Sequence, residues 1–265
     1  MNTHKKEAEF HDNLAKTENL KNINAVGAFE APTAIENQFI LQLMGDLAGK
    51  RLLDVGSGFG ESAVYFALKG ANVLCTDISP KMIEVTQTLA QKYNVNVQTL
   101  VTPAECITIE DNSFDLIYAG NLLHHIQDKA KLFHELNRLL KPSGKIFFWD
   151  PIKYNPLINI YRIIATKVRT EDERPLGIYD LALIRTHFTN IQTRFFWLLS
   201  LLLFVKYFLY DWLSPNSNRY WKLILHETEA TLKWWHPLKR IDDFLLQIPG
   251  IKWLAWNMVV WGQKK

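Results

Sequence analysis

The stretch LLDVGSGFGESAVYFA, residues 52–67, decides the fold. Leu52, Leu53 and Val55 read as a short buried strand. Gly56, Gly58 and Gly60 let the backbone turn sharply and approach a ligand with no Cβ in the way. Ala63, Phe66 and Ala67 then recur at helical spacing. A helix N-terminus behind a glycine loop concentrates unpaired N–H groups and positive dipole, which favours a carboxylate or phosphate. The next strand pattern, ANVLCTDIS, ends in Asp77, about 20 residues past the loop, where a carboxylate can accept from ribose hydroxyls.

The spacing of Asp54, the three glycines and Asp77-Ile78-Ser79 resembles the class I S-adenosylmethionine (SAM) dependent methyltransferases, in particular the small-molecule enzymes of the quinone-biosynthesis type. NSFDLIYAGNLLHHI (112–126) is similar to that family's fourth strand and following loop. LNRLLKPSGKIFFWDP (136–151) is similar to its helix, Pro-Ser-Gly turn and fifth strand. These motifs occur in order across residues 36–151. A nicotinamide-binding dehydrogenase is the competing reading, but it expects Gly-x-Gly-x-x-Gly, and here the glycines run Gly-x-Gly-x-Gly.

Strand patterns near 51–55, 72–76, 96–101, 114–119 and 145–150 alternate with helix patterns near 60–69, 80–93 and 129–140, which predicts a parallel sheet covered on both faces. Ser79 and Pro80 start one helix as N-cap and first helical residue. Residues 5–20 are helix-like and polar; 33–48 form a helix with Ile35, Phe39, Ile40, Leu43 and Leu47 on its apolar face. The resemblance implies a sixth strand at 190–199 and a seventh at 253–265 that closes the sheet antiparallel. The expected fold is therefore α/β: a Rossmann-like, seven-stranded, mostly parallel sheet with helices on both faces, plus a hydrophobic helical insertion between the last two strands. The corresponding segments are an N-terminal helical lid (1–30), a SAM-binding core (31–151), a substrate-side helical segment (152–190), and the last two strands (191–265) with an aromatic, apolar insertion at about 200–240.

Composition divides the chain. The net charge is +3, yet residues 195–265 hold nine Lys/Arg against five Asp/Glu. That surplus is too dilute for a nucleic-acid surface, so no nucleic acid is expected. All nine tryptophans fall at or after Trp149, and eight lie between Trp197 and Trp261. From Phe195 to Val205 the chain is apolar apart from Ser200, and Lys206 and Asp211 interrupt the run before Leu213. A spanning helix there would have to sit between two strands of one sheet. Three readings of the segment stay open: contact with a membrane surface, with Lys206, Arg219, Lys222, Lys233, Lys239 and Arg240 on the wet side; a cap over a hydrophobic substrate; or core or dimer packing. Cys75 and Cys106 read as core positions without ligand spacing, so neither a disulfide framework nor a metal is expected. The charged start MNTHKKEAEF argues against a signal peptide, which makes the cell interior the expected location, with peripheral membrane contact allowed.

The resemblance carries SAM binding to named residues. It implies that Asp54 orients the loop and, directly or through water, the methionine amino group, that Gly56, Ser57, Gly58 and Gly60 form the backbone cradle, that Asp77 binds ribose and that Ile78 packs on adenine. Gly120 and Asn121 line the cofactor at the end of the fourth strand. The acidic residue that relatives use to read adenine is replaced by Pro103, which leaves Ala104 and Glu105 for that role. Candidates for proton handling are His124 and His125, and beyond the fifth strand Asp150 and Glu173. Ile158, Tyr161, Ile164, Ala165 and Val168 make a helical apolar face with Arg162 and Arg169 beside it, and Arg169 and Arg174 offer a grip on an anionic or polar head group. No third metal ligand is evident beside the His pair. Three classes of function follow: a methyltransferase acting on a hydrophobic, lipid-like acceptor; one acting on a soluble metabolite or protein, with the apolar C-terminal part as a dimer interface; or a catalytically silent SAM-binding protein.

Overall fold

One sheet organises the chain, its strands in the order β3-β2-β1-β4-β5-β7-β6. The computed structural model describes residues 3–17, 22–166, 169, 173–225 and 229–265. Strands β1 (Arg51–Val55), β2 (Asn72–Asp77), β3 (Gln98–Val101), β4 (Phe114–Gly120) and β5 (Leu140–Pro151) run parallel. β7 (Asn257–Lys264) lies antiparallel between β5 and β6 (Phe188–Phe196). The expected sheet is thus present, reversed last strand included.

Successive side chains on a strand point to opposite faces, so paired apolar residues must each find a different cover. Leu52, Phe147 and Val259 face one cluster with Phe29 of α2 (Gly27–Glu30), Ile40 of α3 (Ile35–Met44) and Phe66 of α4 (Glu61–Leu68). Their neighbours Leu53, Phe148 and Val260 face another, with Phe133 and Leu136 of α6 (Lys129–Leu139) and Ile184 of α8 (Ile178–His187). A third cluster joins Ala15 of α1 (Thr3–Thr17) to Met82 and Leu89 of α5 (Pro80–Lys92). Ser79 caps α5 as expected, accepting from Met82 N at 3.1 Å. Gly45, at φ 71°, ends α3 earlier than the apolar pattern suggests. Residues 18–20 of the expected first helix, and Val168 of the expected apolar face, lie outside the described residues.

Between β6 and β7 the chain carries α9 (Leu202–Leu209), α10 (Tyr220–Leu223) and α11 (Glu229–Leu245), so the insertion is longer than the stretch about 200–240. Trp253 and Leu254, expected in the last strand, lie in a 3-10 turn instead. The apolar run resolves into two populations. Phe195, Phe196, Trp197, Leu201, Leu203, Phe204 and Tyr207 are buried, and most of them pack on the sheet face of Leu52 and Phe147, where Tyr220 and Trp235 join them. Leu202, Phe208, Leu209, Tyr210 and Trp212 remain exposed. Asp242 of α11 anchors the run: its carboxylate accepts from the backbone N–H of Leu198, Leu199 and Ser200 and from the Ser200 hydroxyl. Among the described residues no helix is long and apolar enough to cross a membrane. Cys75 is buried, but Cys106 is exposed, because Ala104 and Ile107 take the inward positions of the loop after β3.

Candidate active site

A cavity of about 590 Å3 opens at the carboxyl ends of β1, β2 and β4, where ligands bind in open α/β sheets. Gly56, Gly58 and Gly60 all sit at positive φ (65°, 53° and 81°). A Cβ on Gly56 would stand 2.6 Å from Leu122 Cδ1, and one on Gly60 2.4 Å from Thr86 Oγ1, so the loop cannot relax around larger residues. Gly58 N donates to Asp77 Oδ2 and Ser79 N to Asp77 Oδ1, both at 2.9 Å. Asp77 therefore ties the glycine loop to the end of β2 while lining the cavity. Burial pushes its carboxyl up, against those donors and the nearby His11 and His125.

Of the expected cofactor residues, Gly56, Ser57, Gly58, Asp77, Ile78, Ala104, Glu105, Gly120 and Asn121 line this cavity. Asp54 and Gly60 are not on its wall. Asp54 is buried behind the loop, accepting from the Ser62 hydroxyl at 2.6 Å, and Ser62 is what faces the cavity. Burial pushes the Asp54 carboxyl up to about 7. Asn121, at φ 58°, donates its N–H to Trp149 O at 2.6 Å, which turns the chain sharply at the end of β4.

Beyond that turn, the 3-10 segment Leu123–His125 brings the proton-handling candidates together. His124 Nδ1 lies 2.7 Å from Asp150 Oδ1, and the same carboxylate accepts from Leu123 N and His124 N. Asp150 has no exposed surface and stands behind His124, which faces the cavity with His125 and Glu173. Burial lowers the His124 imidazole well below its ordinary value, keeping it neutral, and raises the Asp150 carboxyl to about 7. Arg169 pairs with Glu173 at 2.6 Å and also faces the cavity, as does Arg162, whose guanidinium burial pushes down to about 10. Arg174 is exposed and does not join them; its backbone N–H holds His124 O at 2.7 Å.

The cavity continues into an aromatic end walled by Ile158, Tyr161, Trp197 and Trp256. Several wall residues carry no local signal in the sequence. Glu36 of α3 and Asn257 of β7 meet at 2.6 Å although 221 positions apart. Glu7 and His11 of α1 reach the cavity beside His125, and their i, i+4 spacing is the one sequence feature that would have marked them. The fold thus supplies polar neighbours to the His pair that chain order conceals.

A seven-stranded sheet with a reversed last strand, a glycine loop after β1 and a carboxylate ending β2 define a Rossmann-like methyltransferase domain. Residues 53–148 match the family described as methyltransferase domain. Over 136 residues the chain is 32% identical to the ubiquinone biosynthesis O-methyltransferase of Coxiella burnetii, covering 51% of this chain and 57% of that one. It thus spans little more than half the length of that curated relative. Among solved structures, a phosphoethanolamine N-methyltransferase 2 of Haemonchus contortus, determined with S-adenosylhomocysteine, superposes with a TM-score of 0.58 at 19% identity, covering 88% of this chain and 52% of that one. A methyltransferase-like structure from Bacillus halodurans gives 0.56 at 15% identity, covering 86% and 97%. These two likenesses concern the fold alone.

Proposed function

We propose that the chain transfers a methyl group from SAM to an oxygen of a lipophilic, quinone-like small molecule. The observation that carries this reading is the continuity of one cavity, from the glycine loop and Asp77 through His124 to the aromatic end. The residues fit the cofactor. The loop backbone is open by virtue of its glycines, Asp77 offers remaining lone pairs to ribose, and the buried Ser57 hydroxyl has no hydrogen-bond partner in the protein. Ile78 and Ala104 supply apolar surface for adenine, with Glu105 at its edge and Gly120 and Asn121 toward the methionine end. When bound, SAM supplies an already activated methyl group as a sulfonium.

What remains for the protein is to orient the acceptor, exclude water and receive one proton. His124 is the residue placed for the proton: Asp150 fixes one ring nitrogen, and the residue faces the cavity. Arg162, Arg169 and Glu173 offer polar grip at the same wall, while Tyr161, Trp197 and Trp256 offer apolar and aromatic surface to the acceptor's body. The N-terminal helix α1 serves as the lid. It crosses the cavity, held by Asp12, which accepts from the Ser79 hydroxyl at 2.6 Å, and by His4, 3.2 Å from Glu105.

The same reading places the protein peripherally on a membrane. Tyr161 packs on Phe204 at 5.1 Å, and Asn216 holds Ile164 O, so α7 (Pro156–Ile164) and α9 lie side by side. Ile160 and Ile163 of the first and Phe208 and Leu209 of the second are exposed, with Trp212 just beyond. Such exposed apolar groups, near the aromatic end of a cavity, suit the entry of a membrane-soluble acceptor. Electrostatic attraction contributes less than the basic count suggests, since Lys206, Lys233 and Lys239 are paired with Asp211, Glu229 and Asp243. The test is methyl transfer from labelled SAM to a long-chain hydroxyquinol in vesicles and to a soluble catechol. Preference for the lipophilic acceptor supports the reading; transfer to the soluble one alone removes the lipophilic clause, and absence of SAM binding removes the whole.

A further inference from the structure

Three donors from distant parts of the chain meet on the cavity wall. Glu7 and His11 share one face of α1, and His125 comes from the turn after β4. Glu7 Oε2 lies 3.3 Å from His125 Nδ1 and 3.6 Å from His11 Nε2, and one ligand atom from each residue falls within 4.8 Å of the others. Two of these atoms, Glu7 Oε2 and His125 Nδ1, are fully buried and have no hydrogen-bond partner, although they stand so close. Glu7 is only 7% exposed. A buried carboxylate oxygen and imidazole nitrogen that are paired by charge but miss hydrogen-bond geometry keep lone pairs that a cation can take.

A metal ion would satisfy both. Zinc bonded to nitrogen and oxygen at about 2.0–2.2 Å in tetrahedral geometry sets its ligand atoms about 3.4 Å apart, close to the two separations found here. The His11 and His125 rings meet edge to face, 5.5 Å between centroids and 71° between planes. We propose that Glu7, His11 and His125 form a site for a divalent transition metal of the zinc class, with its remaining positions open to a ligand in the cavity. Two histidines and one carboxylate with a vacant position are the donor set of a catalytic rather than a structural zinc site. An acceptor hydroxyl could fill that position, a role that rests on the methyl-transfer reading; the metal site itself does not.

His124, His125 and Glu173 also gather closely enough to bind an ion, but that set is already balanced. Glu173 is bonded to Arg169 at 2.6 Å, and the guanidiniums of Arg162 and Arg169 both act on His124, so a cation there meets two positive charges. Among the described residues, the charged groups that act most on Glu7 are His11 and His125.

The test uses the 265-residue chain without a histidine tag, stripped with chelator and titrated with Zn2+ alone by calorimetry, in the absence of SAM. The expected result is one Zn2+ per chain, with His11→Ala and Glu7→Gln each weakening uptake by about 100-fold and Glu173→Gln leaving it unchanged. Circular dichroism of each variant checks the fold. Co2+ added to the wild-type chain gives an independent reading, the visible bands of a four- or five-coordinate nitrogen–oxygen site. No stoichiometric uptake by the wild-type chain, or uptake that survives both α1 substitutions, overturns the proposal. SAM affinity, measured separately, tests the methyl-transfer reading on its own.

Discussion

Replacing Asp77 with alanine removes one carboxylate that serves two partners. Its oxygens accept from Gly58 N and Ser79 N, each at 2.9 Å, and alanine leaves both N–H groups without an acceptor. An orphaned buried donor costs about 1–3 kcal/mol, so the pair should cost about 2–6 kcal/mol of stability. That is a large part of the roughly 5–15 kcal/mol that holds a typical domain folded. Loss of the charge-assisted bonds to ribose should weaken SAM by about 1–3 kcal/mol, roughly 5- to 150-fold in Kd. Asp77→Asn separates the two effects. Its carbonyl keeps one of the two backbone donors while its amide group faces the other, so it should be less destabilised than alanine but lose SAM affinity comparably. Urea unfolding gives the first quantity and calorimetry the second. A folded Asp77→Ala protein with the wild-type Kd for SAM would refute the role of this residue, and wild-type binding of NAD without SAM would refute the site.

Four further outcomes can be checked. Because burial holds the Asp54 carboxyl at about 7 in the folded chain against 3.8 as its ordinary value, the native state binds more protons between these values, and stability should fall as pH rises across that window. Asp150, also raised to about 7, contributes in the same window, so Asp54→Asn, which keeps an acceptor for Ser62, should reduce that slope in unfolding measurements from pH 4 to pH 7; an unchanged slope would mean that Asp54 does not carry its share. His124→Gln and Asp150→Asn should lower kcat by about 100-fold or more with SAM affinity intact, and a wild-type kcat in both would take proton transfer away from this pair. Phe204→Ser, in the core, should cost about 3–5 kcal/mol, whereas Phe208→Ser with Trp212→Ser should leave stability and SAM binding alone and reduce vesicle sedimentation; equal sedimentation would count against membrane contact. Limited proteolysis within α1 should slow when SAM is present, and identical cleavage would count against a lid.

Much of the architecture is a local property and could therefore be read from the chain. The continuous apolar runs of β1, β4 and β5 require cover on both faces, and Leu52 with Leu53, or Phe147 with Phe148, supply it by alternation alone. The glycine loop is equally legible, because a positive φ at Gly56 and Gly60 is a demand that only one residue type meets cheaply. Ser79 and Pro80 announce the start of α5 for the same reason.

The rest depends on which surfaces meet in space, and chain order carries no such information. An all-round apolar segment such as 195–213 has no period that assigns a face. Only its packing against the sheet separates buried Phe204 from exposed Phe208, and only Asp242, more than forty positions on, explains how its first amides are held. The position of Asp54 behind the loop, where it accepts from Ser62, likewise follows from the packing of β1 against the loop and not from chain order. Glu7 and His11 are unremarkable polar residues of an N-terminal helix until α1 lies across the cavity and sets them beside His125. The glycine loop and Asp77 owe their position to neighbours a few residues away, along strands whose geometry is repetitive. The contacts of His124 with Asp150, of Glu7 with His125 and of Glu36 with Asn257 join groups tens or hundreds of positions apart, and such joining is decided by the packing of whole elements.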